Sequence, residues 1–287
     1  MSNSKGIAVL TGATGGVGAL YAVGLAERGY DLVLVGRHQE KLDAVAADVK
    51  QKANVKVETL VANLGEAKDL LRVEERIASD PAVTALINDA GAASFSPSAK
   101  LSAKAIDEMV SVNITALTRL TRAVLPGFLA RGGGTIVNFA SALAFHPWPE
   151  MGVYGASKAY VVSFSQALQG ELAGKGVLVQ VVSPPATDTN FWTKAGLPVS
   201  NLPPANVMKP RDLVDAALKG LDRGESWVFP SLPEQAAWDD HQKTRQALVG
   251  GLMRGAVAAR YAQPETSLRA EAAAESTKGI FPRLFQL

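Results

Sequence analysis

Five consecutive residues carry the sharpest chemical signal in the chain: Tyr154-Gly155-Ala156-Ser157-Lys158. On a helix, positions i and i+4 share a face, so the phenol and the ammonium can enter one cleft. A free phenol has a pKa of about 10 and is a poor base at neutral pH. A nearby cation stabilises the phenolate and lowers that value. Alone, this spacing is equally a surface helical pair. Ser141, upstream at the end of an apolar strand-like run, adds a hydroxyl that can donate to an oxygen on which negative charge develops. The three together suit a step in which a carbonyl oxygen gains a proton or an alcohol loses one. His146 follows in Phe145-His146-Pro147-Trp148-Pro149, where a solvated or packing role is the simpler expectation. No Gly-x-Ser-x-Gly elbow surrounds Ser141, which argues against a Ser–His hydrolase.

A second cluster, Thr11-Gly12-Ala13-Thr14-Gly15-Gly16-Val17-Gly18, stands between a short apolar run and a helical pattern. Glycines there permit a tight turn, a close backbone approach to a pyrophosphate and close helix–strand packing. The helix N-terminus adds unpaired N–H groups and a positive dipole end. The spacing is Gly-x-x-x-Gly-x-Gly over Gly12, Gly16 and Gly18. A purely structural turn is the alternative.

Placed at an N-terminal strand–helix junction, this turn resembles that of the short-chain dehydrogenase/reductase family. The resemblance spans about residues 5–230. Asn88-Asp89-Ala90-Gly91 resembles the family's Asn-Asn-Ala-Gly, and Pro184-Pro185-Ala186-Thr187-Asp188-Thr189 its Pro-Gly-x-x-x-Thr. Asn113, Ser141, Tyr154 and Lys158 match its catalytic set. The resemblance implies hydride transfer between a nicotinamide dinucleotide and a carbonyl or alcohol. Ser141 would then donate to the substrate oxygen, and Tyr154 would act as general acid or base. Lys158 would hold the nicotinamide ribose and tune Tyr154, and Asn113 would complete a proton relay through water to Lys158. Cofactor contacts are expected from the Gly-rich turn (Gly12, Thr14, Gly15, Gly16, Val17, Gly18), Asn63 and Leu64, Asn88, Ala90 and Gly91, Tyr154 and Lys158, and Pro184, Thr187 and Thr189. Three residues depart from the pattern. Asp89 replaces Asn, Pro185 replaces Gly, and Asn63 stands where the family often has an adenine-contacting Asp. Asn63 can still accept through its amide oxygen, and Pro185 removes an N–H donor. None of the three is expected to touch the chemical step directly.

In a doubly wound dinucleotide fold the end of the second strand faces the adenosine ribose. This chain has Gly36-Arg37-His38 there, with no neighbouring Asp or Glu to repel a 2′-phosphate. Arg37 offers a planar fork of donors suited to phosphate. NADP(H) is therefore the expected cofactor, with NAD(H) possible. Arg37 as a solvated loop residue is the alternative.

These residues require a scaffold, and the patterning supplies one. Strand-like runs at 7–11, 31–35, 55–61, 83–88, 135–139, 177–182 and 226–229 alternate with helical spacing at 16–28, 40–52, 70–78, 102–131, 154–173 and 212–221. Such repetition predicts an α/β fold: a single doubly wound, Rossmann-type parallel sheet of about seven strands with helices on both faces. From about residue 231 the rhythm breaks into Ala-rich helical stretches at 235–261 and 267–277. They read as a helical C-terminal extension of one domain, shaping substrate access or the oligomer. The helices 102–131 and 154–173 show apolar positions beyond one face, including Met109, Val112, Leu117, Leu120, Val162, Phe164 and Leu168. In the resembling family these helices form a dimer interface, so a homo-oligomer, dimer or tetramer, is expected.

Composition narrows the alternatives. No cysteine occurs among the 287 residues, which removes disulfides, thiolate nucleophiles and Cys-based metal sites. Three scattered histidines make a His-rich metal site improbable. A net charge of +2 gives no footprint for nucleic acid. No run reaches the roughly 18 apolar residues of a membrane span, and no signal peptide is evident, so a cytoplasmic protein is expected. The loops expected to face a small-molecule substrate carry Ala92, Ala93, Ser94 and Phe95, then Leu143, Phe145, Trp148 and Met151, then Phe191, Trp192 and Leu197, which favours an apolar carbonyl or alcohol. Two rival functions remain at this point: a catalytically silent dinucleotide-binding sensor or scaffold, and an epimerase or dehydratase using its dinucleotide transiently.

Overall fold

The computed structural model describes residues 5–146 and 148–262. Strands β1 (Ile7–Thr11), β2 (Asp31–Gly36), β3 (Val57–Val61), β4 (Val83–Asn88), β5 (Gly134–Phe139), β6 (Val177–Val182) and, later in the chain, β9 (Trp227–Val228) form one sheet. Its order is β3-β2-β1-β4-β5-β6-β9, and every neighbouring pair is parallel. Parallel strands covered on both faces read as continuous Val, Ile and Leu runs, as β1, β2 and β4 do.

The helices are α1 (Gly16–Glu27), α2 (Gln39–Lys52), α3 (Ala67–Ala78), α4 (Ala103–Val110), α5 (Leu117–Arg131), α6 (Gly152–Glu171), α7 (Asn190–Lys194) and α8 (Pro210–Asp222). One core holds Leu10, Tyr21, Leu25, Leu34, Leu42 and Leu218, joining α1, α2 and α8 to one face. The other holds Val9, Leu86, Leu120, Phe128, Ile136 and Leu168, joining α3, α5 and α6 to the opposite face. The chain reverses its winding between β1 and β4. In such sheets ligands bind at that switch point, beyond the carboxyl ends of the strands.

The expected doubly wound sheet is therefore present, with three local corrections. The third strand starts at Val57, not at 55. The helix expected over 102–131 contains a π-helical turn, Ser111–Ala116, between α4 and α5. A two-stranded ladder, β7 (Ala186–Thr187) with β8 (Val207–Met208), follows the Pro-Pro pair that reads as a mere stop.

Contacts divide the chain into two compact units, one through Ser231 and one from Leu232 onward. The second unit contains helices α9 (Ala236–Leu252) and α10 (Ala259–Ala262), where Trp238 stacks on His241 at 5.5 Å. The helical stretch expected over 267–277 lies outside the described residues. Among the described residues no helix is long and apolar enough to cross a membrane.

Most apolar residues cited for an oligomer face are consumed inside one chain. Met109, Leu117, Leu120, Val162 and Leu168 are all buried. Their second side meets this chain's own sheet and helices, so they carry no argument for a partner.

Candidate active site and cofactor cleft

A cleft of about 640 Å³ opens along the carboxyl ends of the central strands. One wall is the Gly-rich turn between β1 and α1. Gly12 has φ +71°, and a Cβ there would stand 2.8 Å from the Ala90 nitrogen. A Cβ on Gly18 would stand 2.3 Å from the Gly12 oxygen. The turn can thus be built only without these side chains, leaving bare backbone beside the N-terminus of α1. Gly12, Thr14, Gly15, Gly16 and Val17 line the cleft, whereas Gly18 does not. Its role is packing, which corrects the contact expected of it.

Ser141, Tyr154 and Lys158 face the same cleft. Ser141 caps a short 3-10 turn, its Oγ accepting from Leu143 N at 3.2 Å. Tyr154 lies in the first turn of α6, and the α6 register places Lys158 one turn on. The Lys158 ammonium donates to the Phe139 carbonyl at 2.8 Å and stands 5.9 Å from the centre of the Tyr154 ring. Burial pushes the phenol above its ordinary range; a hydrogen bond with Ser141 opposes this and Asp89 adds to it. Burial also pushes the Lys158 ammonium down to about 8, against Asp89, which raises it.

Asp89 lines the cleft between the Gly-rich turn and Lys158. Its Oδ2 lies 3.0 Å from where a Cβ on Gly18 would be. Burial pushes its carboxyl up to about 7, with Lys158 acting in the opposite sense. Asp89 thus acts at a distance, its charge raising both Tyr154 and Lys158.

Asn88, expected to contact the cofactor, and Asn113, expected in the proton relay, are both buried. Asn88 is buried and donates to Asn138 Oδ1 at 2.9 Å and Thr121 Oγ1 at 3.3 Å. Asn138 in turn donates to Ser165 Oγ at 2.9 Å. This polar layer ties β4 and β5 to α5 and α6 beneath the cleft. Asn113 sits in the π-helical turn, a feature that commonly marks functional segments. Its amide donates to Ala92 O and Ser157 Oγ at 2.9 Å each, and its oxygen accepts from Ala92 N at 2.8 Å. The side chain is fully committed and positions the loop at Gly91 and the start of α6. No described hydrogen bond joins this side chain directly to Lys158, whose ammonium donates to the Phe139 carbonyl.

At the far end of the cleft stand Arg37, His38 and Lys41, with Asn63 and Leu64 on the floor. Asn63 Oδ1 already accepts from Gly65 N at 3.2 Å, which engages the oxygen expected to serve an adenine. The expectation of no acid near Arg37 is also corrected. Glu108, from α4, accepts from its guanidinium at 3.2 Å.

The opposite end is aromatic. Phe95 meets the Tyr154 ring edge-on at 5.5 Å and Trp192 at 5.2 Å. Phe191 lies 5.8 Å from the Tyr154 ring. Phe95 N also donates to Ala195 O at 2.8 Å, tying the loop after β4 to the end of α7. Phe145 packs instead on Phe229 at 5.9 Å, and exposed His146 sits beside Trp148. Ala90, Gly91, Pro184, Pro185, Thr187 and Thr189 line the middle. Thr187 Oγ1 donates to Pro185 O at 3.2 Å. The Thr189 methyl lies 3.0 Å from a Cβ imagined on Gly16, so this segment folds back over the Gly-rich turn.

Comparisons with known proteins agree with this architecture. The family model for short chain dehydrogenase matches residues 6–198. A solved short-chain dehydrogenase from Sphingobium yanoikuyae, in complex with NADPH, is 42% identical with a TM-score of 0.85; the match covers 89% of this chain and 100% of that one. The bulky-bulky ketone specific alcohol dehydrogenase from Comamonas testosteroni is 38% identical with a TM-score of 0.82, over 91% of this chain and 100% of that one. The very-long-chain 3-oxoacyl-CoA reductase of Anas platyrhynchos is 33% identical over 251 residues, 84% of this chain and 80% of the relative. The matched family model, these relatives and the cleft that its motif residues line together place the chain in the short-chain dehydrogenase family, as an NAD(P)-dependent oxidoreductase.

Proposed function

We propose that the protein interconverts an apolar ketone and its secondary alcohol, using NADP(H) in preference to NAD(H). One observation carries this reading: Ser141, Tyr154 and Lys158 open onto the cleft whose other end holds Arg37 and Lys41. Gly12, Gly15 and Gly16 line the cleft without side chains, which suits a dinucleotide pressed against backbone. The turn and the α1 N-terminus would hold its pyrophosphate, Arg37 and Lys41 a 2′-phosphate, and Ala90, Gly91, Lys158, Thr187 and Thr189 the nicotinamide half. When bound, the nicotinamide supplies or accepts the hydride.

The chain's own residues handle the proton and the oxygen. Ser141 donates a hydrogen bond to the substrate oxygen as negative charge gathers on it. Tyr154 gives its phenol proton to that oxygen, or takes one back in oxidation. A phenol raised by burial is protonated at neutral pH, the form needed for ketone reduction. Lys158 supplies positive charge beside the phenol, held in place by the Phe139 carbonyl. Asn113 is a positioning residue, acting through Ala92 and Ser157.

Phe95, Phe191 and Trp192 around the phenol favour apolar, bulky groups beside the carbonyl. The similar enzyme named for bulky-bulky ketones and the relative named for a 3-oxoacyl-CoA support a ketone. The test is a panel of aryl, long-chain and polar ketones assayed with NADPH and NADH, following the reduced-nicotinamide absorbance. Turnover of bulky apolar ketones with NADPH is expected. Turnover confined to polar sugars, or no net absorbance change with any ketone, would overturn the reading.

A further inference from the structure

Arg37 does not face the cleft as a free cation. Glu108, close to the C-terminal end of α4, crosses to it from the other wall, with Nη1 to Oε1 at 3.2 Å. Both side chains stay about half exposed, at 56% and 46%, and both line the cleft beside His38 and Lys41. The pair therefore sits where solvent and a ligand can reach it. A phosphate dianion at this point gains from Arg37 and Lys41, but it must separate Arg37 from Glu108 and then lie near a carboxylate. A ribose 2′-hydroxyl carries no charge and meets neither cost.

We propose that Glu108 is a specificity-determining residue: it competes with the 2′-phosphate of the dinucleotide for Arg37 and so restrains the preference for the phosphorylated cofactor. This rests on the assignment of Arg37 to the 2′-phosphate. The ligand is an adenosine 2′-phosphate, and the competitor is built into the helix across from it. The restraint is modest, because exposed ion pairs are weak.

The test measures dissociation constants of NADPH and NADH, by quenching of intrinsic fluorescence, for the full chain and for Glu108→Gln, Arg37→Ala and the double variant. Glu108→Gln is expected to raise the NADH-to-NADPH ratio of these constants about two- to fivefold. Added salt should shrink that gain. In the Arg37→Ala background the gain should largely vanish, because there is no guanidinium left to compete for. An unchanged or lowered ratio in Glu108→Gln overturns the proposal. So does a full-sized gain in the double variant, which would mean direct repulsion of the phosphate without competition. Failure of the underlying cofactor assignment looks different: Arg37→Ala would leave the NADPH constant untouched, and both readings would fall together.

Discussion

Replacing Asp89 by Asn removes a carboxylate from between the Gly-rich turn and Lys158 while keeping its shape. The groups whose titration it influences are Lys158 and Tyr154 on α6 and buried Tyr21 on α1. Its own pKa stands at about 7 in the folded chain, against about 3.9 when unfolded. A carboxyl raised in this way contributes to stability while it is protonated. That contribution is complete below about pH 4 and is lost as pH climbs through about 7. A gap of about 3 pH units caps the effect at about 4 kcal/mol. Asp89 is only partly buried and faces the cleft, and the variant also forfeits the attraction to Lys158. A gain of about 1–2 kcal/mol for Asp89→Asn at pH 8, vanishing near pH 4, is what remains. The same change acts on the chemistry. Lys158, at about 8, is held up by Asp89, and the phenol is also raised by it. Without the carboxylate both should titrate lower. Denaturant titrations at pH 4.5 and 8, with pH profiles of kcat/KM for alcohol oxidation, read both effects. The acid-side limb of oxidation, where the phenolate must form, should move toward lower pH. An unmoved limb together with a pH-independent stability difference would refute this electrostatic account.

Other perturbations separate the remaining roles. Tyr154→Phe should lower kcat by about 10²–10⁴-fold while NADPH binding stays within a few-fold; more than about a tenth of wild-type turnover would contradict proton transfer from the phenol. Gly18→Ala forces a Cβ to within 2.3 Å of the Gly12 oxygen and should cost about 1–3 kcal/mol of stability, read as a lower denaturation midpoint; an unchanged midpoint would mean the turn yields freely. Trp192→Ala should raise KM for bulky ketones more than for acetone-sized ones, and an equal change for both would remove Trp192 from substrate selection. Homo-oligomerisation through the faces of α4–α5 and α6 is also proposed, with exposed Val110 and Leu129 available there. Sedimentation at micromolar concentration should show a dimer or tetramer, and a monomer would contradict it.

What the sequence makes legible here follows from range. The sheet is visible because strands buried on both faces must be apolar throughout, as in Leu32-Val33-Leu34-Val35, and because the helices between them are long enough to show a period. The Gly-rich turn and Tyr154/Lys158 are visible because their geometry is local, set within one turn of chain. The π-helical turn at Ser111–Ala116 is hidden because one extra residue in a helix leaves an apolar pattern almost unchanged. β7 and β8 are two residues each, too short for any alternation. Gly18 and Asn88 follow the motif's spacing, yet which side they face depends on neighbours distant in the chain: Gly12 for one, Thr121 and Asn138 for the other.

The two acids that matter most share this origin. Glu108 lies 71 positions from Arg37, and Asp89 lies far in sequence from Lys158, so neither pairing can be read from spacing. The fold nevertheless gives Arg37 a carboxylate partner in Glu108, while Asp89 lines the cleft that Lys158 also faces. A cation so compensated is cheaper to hold in the free protein, because neither charge of the pair is left partly desolvated and alone. It is also a weaker trap for an anion, since the ligand must replace a partner that is already present. Near the middle, the Gly-rich turn presents bare backbone to the cleft beside the N-terminus of α1. On the proposed reading, the cleft would hold the pyrophosphate of a dinucleotide on backbone at the centre. On that reading, discrimination between cofactors would sit at the end where Glu108 accepts from the Arg37 guanidinium.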